Sequence, residues 1–205
     1  MKPAFHTIIV SLITGIFSIS ILGIFIRMYI QKFKPDLKNT IGKYADFMAW
    51  FSALVGFLLI FAALITGFAI WPTSAVLNSS ILKNKIFTAL LLLLFWAIFL
   101  FIRYRYRQQL WENKPLRIYY ALLGIGAFFW GVVTNSIGGD VAGNASGFEY
   151  LVQLVTVDTR WTFYLPNTIL LLLLGLGIVS IILPGFFKSK KVATVPLEQS
   201  EGAEQ

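Results

Sequence analysis

Apolar residues fall into five long runs, over residues 7–26, 47–71, 86–102, 118–133 and 168–187, with polar connections between them. Each run is close to the ~20 residues that a helix needs to cross a hydrocarbon core. Backbone in lipid has no water to bond, so runs of this kind are stable there as helices that satisfy their own hydrogen bonds. The pattern predicts an all-α fold, a polytopic integral membrane bundle of five transmembrane helices forming one unit over residues 1–191. The stretch 192–205 is polar and lacks periodicity, which predicts a disordered cytoplasmic tail. Pro35, Pro72, Pro115, Pro166 and Pro184 lie at the edges of the runs or outside them, so no crossing has to be broken by proline. Lys2 ahead of the first run resembles the start of a signal peptide. That run is long, lacks a small-x-small cleavage site and is followed by Arg27, Lys32 and Lys34, so it reads as a retained span.

Charge then orients the bundle. Of the 17 Lys and Arg residues, thirteen lie in alternate connections: Arg27, Lys32, Lys34, Lys38 and Lys43; Arg103, Arg105, Arg107, Lys114 and Arg117; and Lys188, Lys190 and Lys191. The other segments hold only Lys2, Lys83, Lys85 and Arg160. The positive-inside rule places the N-terminus outside and the C-terminus in the cytoplasm of a multi-pass cell-membrane protein. Tyr29, Tyr44, Tyr104, Tyr106, Trp111, Tyr119 and Tyr120 fall at the predicted inner boundary, and Trp71, Tyr150, Trp161 and Tyr164 at the outer one, as amphipathic rings should.

Composition narrows the chemistry. With 58% hydrophobic residues and a mean hydropathy of +0.77, the chain lies beyond the ~45–50% apolar usage of soluble domains. Its formal charge of +8 sits beside helix ends, which suits anionic headgroups and offers no soluble basic surface for nucleic acid. There is no cysteine, so disulfides, thiolate metal sites, iron–sulfur clusters and thiol nucleophiles are excluded. The central portions of the runs hold no ionisable residue, which argues against a proton relay, a voltage sensor or an ion-coupled transporter. Hydroxyls at Ser11, Thr14, Ser18, Ser20, Ser52, Thr66 and Thr88 can each bond the backbone of their own helix.

Several groups are candidates for contacts. Ala49, Ser52, Gly56, Ala63 and Gly67 put small side chains along one face of the second helix, a geometry for close helix approach within the bundle or against a partner subunit. Arg103, Arg105 and Arg107 alternate with Tyr104 and Tyr106 and suit lipid headgroups. The outer loop 134–166 opens with a turn-rich part, 134–147, in which Asp140, Asn144 and Ser146, with Glu149 just beyond, supply oxygen ligands among glycines. A strand-like and aromatic part, 150–164, follows and fits a short hairpin or an interfacial helix. His6, the only histidine, belongs to the same outer side. With Asp140 and Glu149 it forms the candidate metal set, whereas a haem would need a second subunit or an unusual ligand.

His6 within Phe5-His6-Thr7-Ile8 and the Gly138-Gly139 pair closing the fourth helix resemble the small prokaryotic four-helix membrane domain of unknown function with an early His-Pro and a late Gly-Gly. The resemblance covers about residues 5–150 and leaves the fifth helix as an addition; Thr7 stands where that family has Pro, and Asn84 or Lys85 where a His would open the third helix. It implies an all-α bundle and a cytochrome-like ancestry. From the residues themselves, the leading expectation is a non-catalytic scaffold or accessory subunit of a larger membrane complex. It needs no cofactor, and its partners are the lipid bilayer and other membrane proteins. The alternative is a redox or metal-binding protein using His6 with Asp140 or Glu149, and a third possibility is a passive facilitator for small neutral molecules or lipids.

Overall fold

The computed structural model describes residues 3–143 together with Thr168, Leu171, Leu172 and Gly175. The described residues are helical, with four helices long and apolar enough to cross a membrane: α1 (Pro3–Phe33), α2 (Ile41–Ile70), α4 (Ser80–Tyr106) and α6 (Lys114–Val141). Two short helices, α3 (Thr73–Asn78) and α5 (Gln109–Glu112), and a 3-10 turn over Pro35–Leu37 connect them. The fifth predicted crossing, apart from those four residues, lies outside the described residues. So do the stretch 150–164 and the tail.

Each long helix outruns its apolar run at one end or both. The 31 residues of α1 extend about 46 Å, more than the ~30 Å hydrocarbon core, so terminal turns carry polar residues into the headgroup region. Ser79 caps α4 by accepting the Leu82 N–H at 3.4 Å, and Asn113 caps α6 by accepting the Leu116 N–H at 3.1 Å, ahead of Pro115 in the first turn of α6. The largest departure from the hydropathy pattern is at the end of α6. Residues 134–141 continue the helix instead of opening a turn-rich loop. The Thr134 hydroxyl bonds Trp130 O within the helix at 2.8 Å, and the helix stops only at Gly143, where φ reaches +77°. There the Gly143 N–H returns to Asp140 O and the Ala142 N–H to Gly139 O, the usual left-handed glycine ending.

The chain runs up and down. His6 meets Gly67 and shares a cavity with Lys85 and Gly138, so one end of the bundle gathers the start of α1, the end of α2, the start of α4 and the end of α6. Arg27, Asp46 and Arg103 mark the opposite end. The main packing pairs are α1 with α2 and α4 with α6. The stripe Ile9, Ile13, Phe17, Ser20, Ile24, Arg27 and Ile30 faces inward on α1, at the spacing of three and four that makes one helix face. Ile8, Leu12, Ile19, Leu22 and Phe25 face out, as lipid-facing residues would. At the α1–α2 crossing, a β-carbon on Gly23 would lie 2.8 Å from Ala45 O and 2.9 Å from Ala49 N. Only glycine permits that approach. Beside it, the Ser20 hydroxyl donates to Ala49 O at 2.7 Å. Thr14, Ser18, Thr66 and Thr88 bond their own helices as expected; Ser20 reaches across to its neighbour instead.

Candidate functional site

At the His6 end the four long helices surround a cavity of about 140 Å³, room for on the order of ten water-sized spheres. Its walls run from His6 to Phe17 on α1, Ile60 to Phe68 on α2 with Trp71 just beyond it, Leu82 to Leu92 on α4 and Phe128 to Gly138 on α6, with Val76 of α3 at the rim. Ten residues of helix span about 15 Å, half of the ~30 Å hydrocarbon core. Most of the wall is apolar, with Val10, Ile13, Leu64, Ile86 and Leu92 among its side chains, and Phe17 lies at its deep end. Polar groups collect at the other end, where His6, Lys85 and Asn135 lie.

Local sequence explains how these polar groups are held. Thr66 Oγ1 donates to Ala62 O at 2.9 Å, and the same hydroxyl oxygen of Thr66 lies 3.0 Å from His6 Nδ1. Two glycines make the space. A β-carbon on Gly67 would lie 3.4 Å from His6 Cε1, and one on Gly138 would lie 3.0 Å from Lys85 Nζ. Among the described residues no carboxylate or other acceptor pairs with the Lys85 ammonium. No acidic residue is among the described residues lining the cavity.

The opposite end holds a buried ionic centre. Asp46, 1% exposed, accepts from Arg103 Nε at 2.9 Å and Nη2 at 2.5 Å, and from Trp111 Nε1 at 2.9 Å. The two-pronged arginine contact is the strong form of a charge-assisted pair. Arg27, 2% exposed, donates to Lys38 O at 2.7 Å and lies over the Trp111 ring, its guanidinium carbon 5.2 Å from the centroid. The short helix α5 tucks Leu110 and Trp111 under the bundle, held by Arg117 Nη1 bonding Trp111 O at 3.2 Å.

A column of rings joins the two ends. Phe17 stacks on Trp96 at 4.3 Å, Trp96 meets Phe99 edge to face at 5.0 Å, Phe99 stacks on Tyr120 at 4.0 Å and Tyr120 meets Trp111 at 5.7 Å. All five rings are within 1% of full burial. Trp111 and Tyr120, expected in the interfacial belt, are therefore core residues. Tyr29, Tyr44, Tyr104, Tyr106 and Tyr119 are exposed at that end.

The other sequence-derived candidates distribute as follows. Ala49, Ser52 and Gly56 are buried; Ala49 meets Gly23, and Gly56 makes room for the Phe17 ring. Ala63 and Gly67 line the cavity. This small-residue face is therefore used inside the chain. Arg103 departs from the headgroup expectation because its fork is committed to Asp46, whereas Arg105 and Arg107 are exposed. Asp140 lies in the last turn of α6, at the His6 end, while Asn144, Ser146 and Glu149 lie outside the described residues. Among the described residues no three of the His, Cys, Asp and Glu side chains converge as a metal site would require. Sequence reasoning missed Arg27, Asp46 and Lys83 as buried charges and Lys85 as a half-buried one.

Comparisons with protein-family models, curated proteins and solved structures found no match to this chain.

Proposed function

We propose that the protein is a non-catalytic multi-pass membrane protein whose bundle holds a lipid-like molecule in the cavity at the His6 end. The observation that carries this reading is the cavity, apolar along its length and polar at one end, a combination typical of sites that bury a ligand and orient it with few polar groups. The non-catalytic part is supported by how the inward polar groups are used: half-buried His6 on Thr66, Ser20 on Ala49 O and Asp46 on Arg103 and Trp111. Charge asymmetry supports an orientation in the cell membrane with the His6 end outside. The apolar run 168–187 supports a fifth crossing.

The accessory-subunit role remains compatible with this reading, although α2 contributes its small-residue face to internal packing. A stoichiometric set of partners recovered by gentle purification would add that role. The cavity reading itself is tested with the full chain in nanodiscs of phosphatidylcholine, by measuring retention of radiolabelled hexadecanol. Saturable retention near one molecule per chain, lost in Gly131→Phe, is the expected result; the new ring projects from α6 toward Leu92 and fills the space. Retention that does not saturate, or that Gly131→Phe leaves unchanged, would overturn it.

A further inference from the structure

Resting on the reading that the cavity holds a lipid-like molecule, we propose that its ligand is a single-chain amphiphile with an oxyanion head, a carboxylate or a phosphate monoester. Lys85 holds the head and the tail extends toward Phe17. An apolar tail leaving lipid for an apolar protein wall gains little, since lipid and side chain are equally apolar. Discrimination therefore falls to the polar end. There the ammonium of Lys85 enters the cavity beside His6 and Asn135. Lys85 is half-buried and has no counter-charge among the described residues; withdrawing a cation from water in this way is costly, and an oxyanion in the cavity removes that cost by supplying a charge-assisted partner.

Three further features fit this ligand. Lys85 follows the start of α4 at Ser80 by about a turn and a half, close to the depth where headgroups reside. The space around Nζ depends on Gly138, so the ammonium is set into the wall instead of being spread over a surface. The absence of acidic side chains among the described lining residues disfavours a cationic head. A cavity of about 140 Å³ that reaches Phe17 suits a single chain better than the paired chains of a bilayer phospholipid.

The test uses the full chain in phosphatidylcholine nanodiscs and four probes with the same alkyl chain: palmitate, hexadecyl phosphate, hexadecanol and hexadecyltrimethylammonium. At least one oxyanion probe should bind about tenfold more tightly than hexadecanol, the scale of one charge-assisted hydrogen bond, and the ammonium probe should not displace it. Tight binding of palmitate alone identifies a fatty-acid ligand; tight binding of hexadecyl phosphate alone identifies a phosphate-headed lipid fragment. Lys85→Gln should reduce the preferred probe to the affinity of hexadecanol, and Lys85→Arg should retain most of the preference. Unchanged hexadecanol binding in Lys85→Gln shows that the cavity is intact. Gly138→Ala, which displaces only the end of a flexible side chain, should weaken the oxyanion probe selectively. Equal affinity for hexadecanol and both oxyanions, or a preference that survives Lys85→Gln, overturns the assignment of the head while the cavity reading stands. No saturable binding of any probe overturns both.

Discussion

Removing the Asp46 carboxylate should be among the most damaging single changes at the end of the bundle opposite His6. Three N–H groups end on it, at 2.5 to 2.9 Å, from Arg103 and Trp111. Asp46→Ala leaves the Arg103 guanidinium and the Trp111 indole without their acceptor, beside a second buried arginine, Arg27. Breaking a buried ion pair from one side costs ~3–5 kcal/mol. The Arg103 side chain is 17% exposed and can turn toward headgroups, which sets the expectation at about 3 kcal/mol. Asp46→Asn keeps an acceptor for Trp111 and should cost about half as much, ~1.5 kcal/mol. The assay is reversible unfolding in mixed micelles by increasing dodecyl sulfate, followed by circular dichroism. Combining Asp46→Ala with Arg103→Met should recover a coupling of ~2 kcal/mol, because the double variant leaves no unpaired Arg103. A loss below ~0.5 kcal/mol for Asp46→Ala, within the range of ordinary surface changes, would refute the picture of a buried ionic centre.

Gly23→Ala drives a β-carbon into the backbone of α2, 2.8 Å from Ala45 O, and should destabilise by ~3 kcal/mol or more; Gly15→Ala on the same helix meets nothing within 4 Å and should be neutral or stabilising by up to ~1 kcal/mol, both read by the same unfolding assay. Gly56→Ala must displace the Phe17 ring, with Cδ1 2.8 Å away, at ~1–3 kcal/mol, and should also change Trp96 fluorescence through the Phe17 stack. Arg107 adopts φ 47° and ψ −122° beyond the end of α4, a backbone region that favours glycine, so Arg107→Gly should raise stability by ~1 kcal/mol; a loss would contradict the assigned turn.

The apolar runs alone mark the four long helices, because a backbone in lipid has few alternatives to helix. What they hid was the role of the residues just outside them. Arg27 follows the first run, Asp46 precedes the second, Lys85 precedes the third and Arg103 follows it, each by one position. A boundary at the first charge makes such residues connection, yet the helices continue past them, burying Arg27 and Asp46 and half-burying Lys85 and Arg103. A signal for Asp46 was present. It shares the small-residue face of α2 with Gly42, Ala49 and Gly56, spaced by three, four and seven, so a face close enough to take α1 had to enclose its carboxylate. The extension of α6 to Val141 was masked by Gly138 and Gly139, which read as turn residues in isolation but are carried by the helix on either side. The aromatic column depended on which faces of α1, α4 and α6 meet, and no local pattern determines that. Trp111 and Tyr120 looked interfacial by position alone, and the fold of α5 under the bundle turns them inward.

Photolabelling would show whether a single alkyl chain sits among the helices of this bundle. The full chain in phosphatidylcholine nanodiscs would be irradiated with a hexadecanol carrying a mid-chain diazirine, and the adducts located by peptide mass spectrometry. Adducts are expected on cavity residues such as Val10, Ile13, Leu92 and Phe128, suppressed by excess unlabelled hexadecanol. Adducts confined to outward-facing residues such as Leu12, Leu22 and Leu58, indifferent to competitor, would contradict the cavity reading.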